Sequence, residues 1–432
     1  MTTPKPDPYW WEDLAPDTVQ TPQLPAECEV VVVGAGLTGC SASRTLAKSG
    51  ADVVVLDAQR PGFGASTRNG GMVGGGYRLS LEQMTERYGA ETAHALLRES
   101  HIDSLAFAAS LIEDEAMSCD FHTYGRFRGQ WNKAEYDAAA RSLDQLRDLV
   151  PVNIEMIPPE RQRQEVGTDF YCGGMLLRDH GGLHPAKYFN GLLAAARRAG
   201  ARVYGRTPAH AITPSGSGFQ VVTDEGTVHT EAVLMATNGY TTRNFSALKR
   251  RIIPVSSFVI ATEELSRDTI DAIMPGRRMC VETRHRHCYY RLSPDEKRLV
   301  IGGRAALSIV PQSSATRVLH GLMSEIFPQL KSVTITHSWQ GHTGFTFSFM
   351  PHVGQIDGIW HAVGYSGSGN AMAPYLGHKA ALAMIGDSAG ETAFMKTELE
   401  TRSWYQGQPW FLPLVQALYR GYDIRDNFKR GR

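Results

Sequence analysis

Three glycines and one acid early in the chain have the types and spacing to hold phosphate. Gly34, Gly36 and Gly39 form a G-x-G-x-x-G pattern, and Asp57 follows 18 residues after the last of them. Gly34 permits a tight turn, Gly36 lets backbone approach a pyrophosphate, and Gly39 lets a helix sit close on a strand. A helix starting there, with Leu37 and Thr38 in its first turn, offers free N–H groups and a positive dipole end to the phosphates. Asp57, next to Ala58, is placed for its carboxylate to take both hydroxyls of an adenosine ribose.

Two further stretches are rich in bare backbone. Residues 59–77, QRPGFGASTRNGGMVGGGY, contain seven glycines, with Ser66, Thr67, Arg68 and Asn69 between them. A flexible surface linker is the plainer reading. The alternative is a loop whose backbone lies against a flat ring, with hydroxyl and Arg groups reaching phosphates and ring carbonyls. Residues 364–377, GYSGSGNAMAPYLG, hold four glycines before a run that can turn helical.

The flanking residues supply the elements that must position these groups. VVVV before Gly34 and ADVVVLDA before Gln59 are short β-branched runs suited to buried parallel strands, and SASRTLAKSG between them is a helix stopped by Gly50. Strand, glycines, helix, strand and acid form a βαβ unit with the dinucleotide fingerprint in its proper context. GGLHPAKYFNGLLAAARRAGARVYGRTPAHAI reads as helix then strand. FQVVTDEGTVHTE reads as a hairpin turning at Asp224-Glu225-Gly226, and AVLMAT as a return strand before a glycine turn. Together they extend the unit into a larger sheet.

Composition narrows the class. The 432 residues imply two or more domains of a soluble globular protein. Lys plus Arg and Asp plus Glu balance at 44 each, so there is no basic surplus for nucleic acid. No apolar run reaches membrane-span length, and the first residues hold no apolar signal core. That N-terminal segment reads as an extended arm whose Tyr9, Trp10 and Trp11 pack onto the body. The six cysteines form no CxxC pair, which fits a reduced, cytoplasmic protein.

GAGLTG, GASTRNGG, GGLHPAKY, VLMATNGYT, LVIGGR and PHVG…GYSGSGNAMAPYLG occur in the order found in the D-amino-acid-oxidase superfamily of FAD-dependent oxidoreductases. The chain resembles that superfamily over about residues 27–390, and within it the branch of γ-glutamylputrescine oxidases and related amine oxidases. The resemblance implies an α/β fold: a Rossmann-type, GR2-like FAD-binding domain with an inserted α+β substrate domain on an antiparallel sheet. The expected FAD domain is discontinuous, over 27–90, 161–250 and 337–395. Residues 91–160 and 251–336 are expected in the substrate domain, 1–26 in the arm and 396–432 in an outer tail.

Carried over residue by residue, the resemblance puts Gly34, Gly36, Leu37, Thr38, Gly39, Asp57 and Ala58 against FAD. With them come Gly64, Ala65, Ser66, Arg68, Asn69, Gly70, Gly71 and Met72, then Ala209, Thr237 and Asn238. Residues 359–364 become a late strand returning to the FAD domain, after which Gly364, Ser366, Gly367, Ser368 and Gly369 wrap the pyrimidine edge of the flavin. A helix from near Asn370 points its N-terminus at the edge where reduction puts negative charge. The position of the family's flavin-attaching cysteine is Gly341, and STRNGG has no histidine, so the FAD is expected to be non-covalent. The late T-x-D motif of many relatives is here Thr346-Phe347-Ser348. The lysine and histidine that accompany the late turn in sarcosine-type members are replaced by Ala371 and Ser368.

RHRHCYYR reads as a strand with His285, His287, Tyr289 and Arg291 on one face and Arg286, Cys288 and Tyr290 on the other. No partner stands at metal-ligand spacing, so no metal is expected. The resemblance places Tyr289, Tyr290 and Arg291 beside the substrate, an ordinary sheet face being the other reading. His342 is a further substrate candidate. His184, Trp339 and His352 read as structural.

No acid/base dyad stands out, which suits a reaction in which a neutral amine passes hydride from its α-carbon to flavin N5 and the imine is then hydrolysed. The resemblance implies a polyamine-derived or γ-glutamylated amine as substrate and oxygen as acceptor. The alternative is an amino- or imino-acid dehydrogenase, of D-amino acid or pipecolate type, passing electrons to a quinone. Oligomeric state is not legible in the sequence.

Overall fold

The computed structural model describes residues 3–14, 23–307 and 309–429. The expected arm (1–26) and tail (396–432) therefore lie partly outside the described residues.

The valine runs build the first sheet. Glu27–Val33 and Val53–Leu56 pair in parallel, Val30 opposite Val53 and Val33 opposite Leu56. Val31, Val32, Val54 and Val55 are wholly buried, as strands covered on both faces must be. Gly226–Met235 lies parallel on the other flank of Glu27–Val33. Ile359–Val363 follows outside it, again parallel, and antiparallel His352–Ile356 forms that edge. Arg202–Tyr204 forms the other edge, and the hairpin of Ala209–Ser215 and Gly218–Thr223 extends from Gly226–Met235. The strand just before the late glycine turn thus belongs to the same sheet as the strand before Gly34.

Three helices cover one face: Leu37–Lys48, Pro185–Arg198 and Gly369–Met384. The first and last approach closely because a Cβ on Gly377 would stand 2.4 Å from the Thr38 carbonyl oxygen. Ser41 Oγ donates to Pro374 O across the same contact at 2.7 Å. Ala90–Arg98 and Ser104–Asp114 pack into this core through Leu96, Leu97, Ala108 and Leu111. A π-helical turn, Glu99–Asp103, joins them. Glu99 anchors that turn by accepting from Tyr375 Oη at 3.0 Å and the Ala393 N–H at 2.7 Å.

The second sheet runs Ile335–Phe345, Ile253–Thr262, Leu299–Gly303, Cys288–Leu292, Met279–Glu282, Arg126–Gly129, Gly174–Leu177, Ile154–Ile157. Its pairings are antiparallel except Met279–Glu282 with Arg126–Gly129. Helix Gln312–Ile326 covers one face through Leu319 and Met323. The boundaries expected from sequence shift accordingly. Residues 90–114 pack with the first core rather than the second domain, whereas 174–177 and the 335–345 strand lie in the second sheet.

One expected strand is shorter than its sequence pattern. Pairing begins only at Cys288. Residues 284–287 turn instead, the His287 N–H donating to Arg284 O at 2.9 Å, with φ +32° at His287. The cause is Glu282: its carboxylate accepts from Arg284 Nε at 2.7 Å and the Cys288 N–H at 3.1 Å, folding the segment back on itself. The face alternation expected for His285 and His287 therefore fails. C-terminal helix Leu412–Lys429 packs on this turn, Asp423 accepting from the His285 N–H at 3.1 Å and Arg286 Nε at 2.9 Å.

Candidate active site

A cavity of about 1170 Å³ opens between the two sheets, and all three glycine segments reach it. It exceeds the roughly 300–1,000 Å³ typical of a small-molecule pocket.

At the fingerprint end, Gly34 has φ +107°, and a Cβ there would stand 3.0 Å from Ala236 O. Gly39 does not line the cavity; its Cβ would sit 1.9 Å from Gly34 O, so its bareness lets helix and turn close on each other. The N-cap of helix Leu37–Lys48 is Gly36, which has no side chain to cap it. The Leu37 N–H donates to Ser66 Oγ at 3.0 Å, which ties the second glycine segment to the first. Asp57 accepts from the Ala35 and Gln59 N–H groups, each at 2.8 Å. Burial pushes its carboxyl up to about 6, against those two hydrogen bonds. Ala58, Ala209 and Thr237 complete this end.

The two glycine turns meet here. Thr38 Oγ1 and Tyr365 Oη are 2.7 Å apart although 327 residues separate them. Gly364 (φ +88°), Ser366 (φ +52°) and Gly367 (φ +111°) are all left-handed. Asn238 Oδ1 holds the turn by accepting from the Gly364 N–H at 3.0 Å. Helix Gly369–Met384 starts directly behind it, also without a side-chain cap. A Cβ built on Gly367 or Gly369 meets nothing within 4 Å. The left-handed φ of Gly367 already calls for glycine, whereas neither packing nor backbone conformation requires one at Gly369, which leaves bare backbone open to a ligand.

The middle segment backs this surface. Ala65–Arg68 is a single helical turn. Asn69 Oδ1 accepts from the Gly71 N–H at 2.7 Å and from Asn370 Nδ2 at 2.9 Å, and Asn370 Nδ2 also donates to Met72 O at 2.9 Å. Gly70 lies on the ring of Tyr289. Gly71 is turned away from the cavity, toward Leu183 O. Arg68 lines the cavity, but its Nε donates to Phe63 O at 2.8 Å.

The facing wall carries Tyr289, Tyr240 and His342. Tyr240 Oη accepts from the His342 N–H at 3.1 Å, and the two rings meet edge-on. Burial, then Lys249 and Arg68, lower the His342 pKa, so the imidazole is neutral near pH 7. Gly341 lies against the Arg68 side chain. Thr346 and Ser348 sit wholly buried beneath the late turn, donating to Met350 O at 2.7 Å and Glu398 O at 2.9 Å. Those hydroxyls brace the turn and do not line the cavity.

Two substrate candidates lie elsewhere. Tyr290 points into the opposite core, its hydroxyl donating to Tyr171 Oη at 3.2 Å and its ring edge-on to Phe327. Arg291 is buried, with Nη1 donating to Gly71 O and Leu183 O at 2.8 Å. It holds the glycine loop from behind. His184 caps helix Pro185–Arg198, and His352 stacks on His361. Among the described residues no group of three His, Cys, Asp or Glu side chains could hold a metal, and no helix is long and apolar enough to cross a membrane.

Sequence reasoning missed His101, His287, Arg78, Arg126, Arg128, Arg304 and Tyr419, all of which line the cavity. Only Arg126-x-Arg128 carried a signal, two arginines on one face of a strand. His101 arrives on the π turn, with its pKa pushed down to about 4 by burial and then Arg126. Tyr419 arrives on the C-terminal helix.

A family model described as DAO, FAD dependent oxidoreductase, matches residues 29–382. The γ-glutamylputrescine oxidoreductase of Escherichia coli K12 is 32% identical over 373 residues, 85% of this chain and 86% of that one. A probable oxidoreductase, OrdL, of Rhizobium meliloti is 29% identical over 422 residues, 97% of each chain. Among solved structures, the glycine oxidase of Geobacillus kaustophilus aligns with a TM-score of 0.71 at 19% identity, over 88% of this chain and 99% of that one. The L-proline dehydrogenase of P. horikoshii aligns with a TM-score of 0.69 at 20% identity, over 91% and 99%. The early and late glycine turns that meet at one cavity and the family match agree: this chain belongs to the DAO family, an enzyme whose cofactor is FAD.

Proposed function

We propose that the protein oxidises the C–N bond of an amine, either polyamine-derived or γ-glutamylated, with oxygen as electron acceptor. The observation that carries this reading is the meeting of the two glycine turns, Thr38 to Tyr365 at 2.7 Å, beneath a wall of Tyr289, Tyr240 and His342. FAD, when bound, supplies hydride acceptance at its N5. The chain supplies the rest. The bare backbone of Gly367–Gly369 and the uncapped helix behind it present N–H groups and a positive dipole end where negative charge develops. The aromatic wall orients the substrate carbon. Burial disfavours an ammonium and so favours the neutral amine that gives up hydride. Resemblance to a γ-glutamylputrescine oxidoreductase supports the substrate class. We further propose that FAD is held non-covalently, since Gly341 offers no thiol and no cysteine lines the cavity. The cysteines, all free, support a cytoplasmic location.

Anaerobic mixing with a panel of polyamines, γ-glutamyl amines and amino acids tests the reaction by loss of the flavin band. Bleaching by an amine, and reoxidation by oxygen with one peroxide per turnover, is expected. Reoxidation by a quinone but not by oxygen would favour the dehydrogenase alternative. Acid precipitation should release all of the yellow chromophore.

A further inference from the structure

We propose that Arg78, Arg126, Arg128 and Arg304 form a carboxylate site within the cavity, so that the substrate is an anionic amine whose carboxylate binds away from the C–N bond being oxidised. This deepens the amine-oxidase reading above and rests on it.

The four side chains come from three places in the fold. Arg126 and Arg128 stand on the cavity side of Arg126–Gly129, with Phe127 between them wholly buried in the opposite core. Arg304 directly follows strand Leu299–Gly303, and Arg78 follows the Gly74–Gly76 run. Arg78 and Arg304 lie over the same ring, Phe345, at 5.5 and 5.4 Å.

Among the described residues none of the four has a carboxylate within the 4.0 Å of an ion pair. Two neighbouring arginines do: Arg284 pairs with Glu282 at 2.7 Å and Arg286 with Asp423 at 2.9 Å. Two acids line the cavity. Asp57 is at the fingerprint end, and Glu282 is already occupied by Arg284 and the Cys288 N–H. Arg126 Nε is buried with no hydrogen-bond partner.

Arg78 and Arg128 are exposed while Arg126 and Arg304 are half-buried, so leaving the cluster without counter-charge costs most at the latter two; Glu135, which does not line the cavity, offsets part of the cost at Arg128. Arg304 is pushed down to about 9 by burial and then by Arg78, and Arg126 to about 10 by burial and then by Arg128. His287 is driven down to about 3 by burial, then by Arg304, Arg78 and Arg128 with one hydrogen bond opposing, so it stands neutral among them. A ligand carboxylate would relieve the repulsion and accept charge-assisted, bidentate hydrogen bonds. A free diamine brings a distal ammonium, for which the cavity offers no free acid. A γ-glutamyl amine brings a carboxylate. The arginines therefore separate the two substrate classes left open above.

The test uses the FAD-loaded enzyme and glutarate, a dicarboxylate with no nitrogen to oxidise. Glutarate should perturb the flavin spectrum saturably. Arg128→Met and Arg304→Met should each weaken its binding about 10- to 100-fold, the loss of one charge-assisted contact. FAD content should be unchanged, and Arg128→Lys should recover part of the affinity. In a second arm, γ-glutamylputrescine should bleach the flavin at far lower concentration than putrescine or the α-carboxamide of the same γ-glutamyl amine. In the Met variants that advantage should shrink through KM rather than kcat. Absent glutarate binding, equal affinity in the Met variants, or loss of FAD from them would overturn the inference; the last would assign the arginines to the cofactor. If no amine bleaches the flavin while glutarate still binds through these arginines, the oxidation reading fails and the carboxylate site stands.

Discussion

If Asp57 takes the ribose of FAD, as the fingerprint implies, one buried side chain ties cofactor retention to pH. Its carboxyl is raised to about 6 because burial outweighs the two backbone N–H groups it accepts from. A carboxyl raised on folding favours the folded apo-protein when protonated, so that contribution fades as pH rises through about 6. Ribose hydroxyls, by contrast, need the ionised acceptor. Affinity for FAD should therefore fall as pH drops below about 6, and Asp57→Asn should weaken binding by about tenfold or more while flattening that dependence. Quenching of FAD fluorescence across this range measures both. The glycines divide in a similar way. Gly39→Ala would drive a methyl to 1.9 Å from a backbone oxygen, whereas Gly369→Ala meets no protein atom within 4 Å. The first should cost several kcal/mol of apo-protein stability. The second should leave thermal unfolding of the apo-protein nearly unchanged and release FAD more readily. At this scale the fingerprint was legible because each glycine has its own steric reason. Tyr290 was not, because period-2 alternation says that neighbouring residues face opposite ways without saying which face is wet; Arg291 shares the face of Tyr289, but its guanidinium is taken up by Gly71 O and Leu183 O, which the sequence pattern does not show.

Elements brought in from outside the nucleotide fold do much of the positioning. Three indoles hold three successive residues of the second glycine segment. Trp11 Nε1 donates to Thr67 Oγ1 at 2.9 Å, Trp339 Nε1 to Arg68 O at 2.8 Å and Trp10 Nε1 to Asn69 O at 2.8 Å. Trp10 is wholly buried between Trp339 and His184, and Trp11 carries the guanidinium of Arg60 at 3.8 Å. The aromatic run in the arm was readable as a segment that packs, since so much apolar surface next to prolines has few other fates. Its target was not readable, because nothing local in YWW encodes residues 67–69. Trp10→Ala should cost about 3–5 kcal/mol, the usual range for emptying a buried indole site. Trp11→Phe keeps an aromatic ring in place and loses the indole N–H with its one hydrogen bond, worth about 1 kcal/mol. If the arm positions the loop, Trp11→Phe will raise the FAD dissociation constant several-fold with little change in apo-protein melting. Equal losses in both measurements would make the arm mere packing. The 284–287 turn shows the converse. Its residues alternate as a strand would, yet a single acid, Glu282, collects the nearby donors and bends the chain.

Over the whole molecule, the chain is interleaved rather than divided. The first sheet draws strands from 27–33 and 359–363, and the second from 126–129 and 335–345. The boundaries expected with the resemblance assigned 91–160 to the substrate domain, whereas the helices at 90–114 pack with the first core. Sheet membership depends on pairing partners far along the chain, and composition carries no trace of them. The motif order survived this interleaving because each glycine turn follows its own strand wherever that strand pairs. FAD bound across the cavity would tie together stretches that are separated in sequence. At a thousand times its dissociation constant, a ligand bound only by the folded state adds about 4 kcal/mol of stability. Hydrogen exchange should register that gain together in the backbone amides of 34–39, 66–72 and 364–370, because Leu37 bonds Ser66, Asn69 bonds Asn370 and Thr38 bonds Tyr365. Loading apo-protein with FAD is expected to slow exchange in all three segments by a common factor. Protection confined to 34–57 would mean that the cofactor engages only the first βαβ unit, and the late turn would then have no part in holding the flavin.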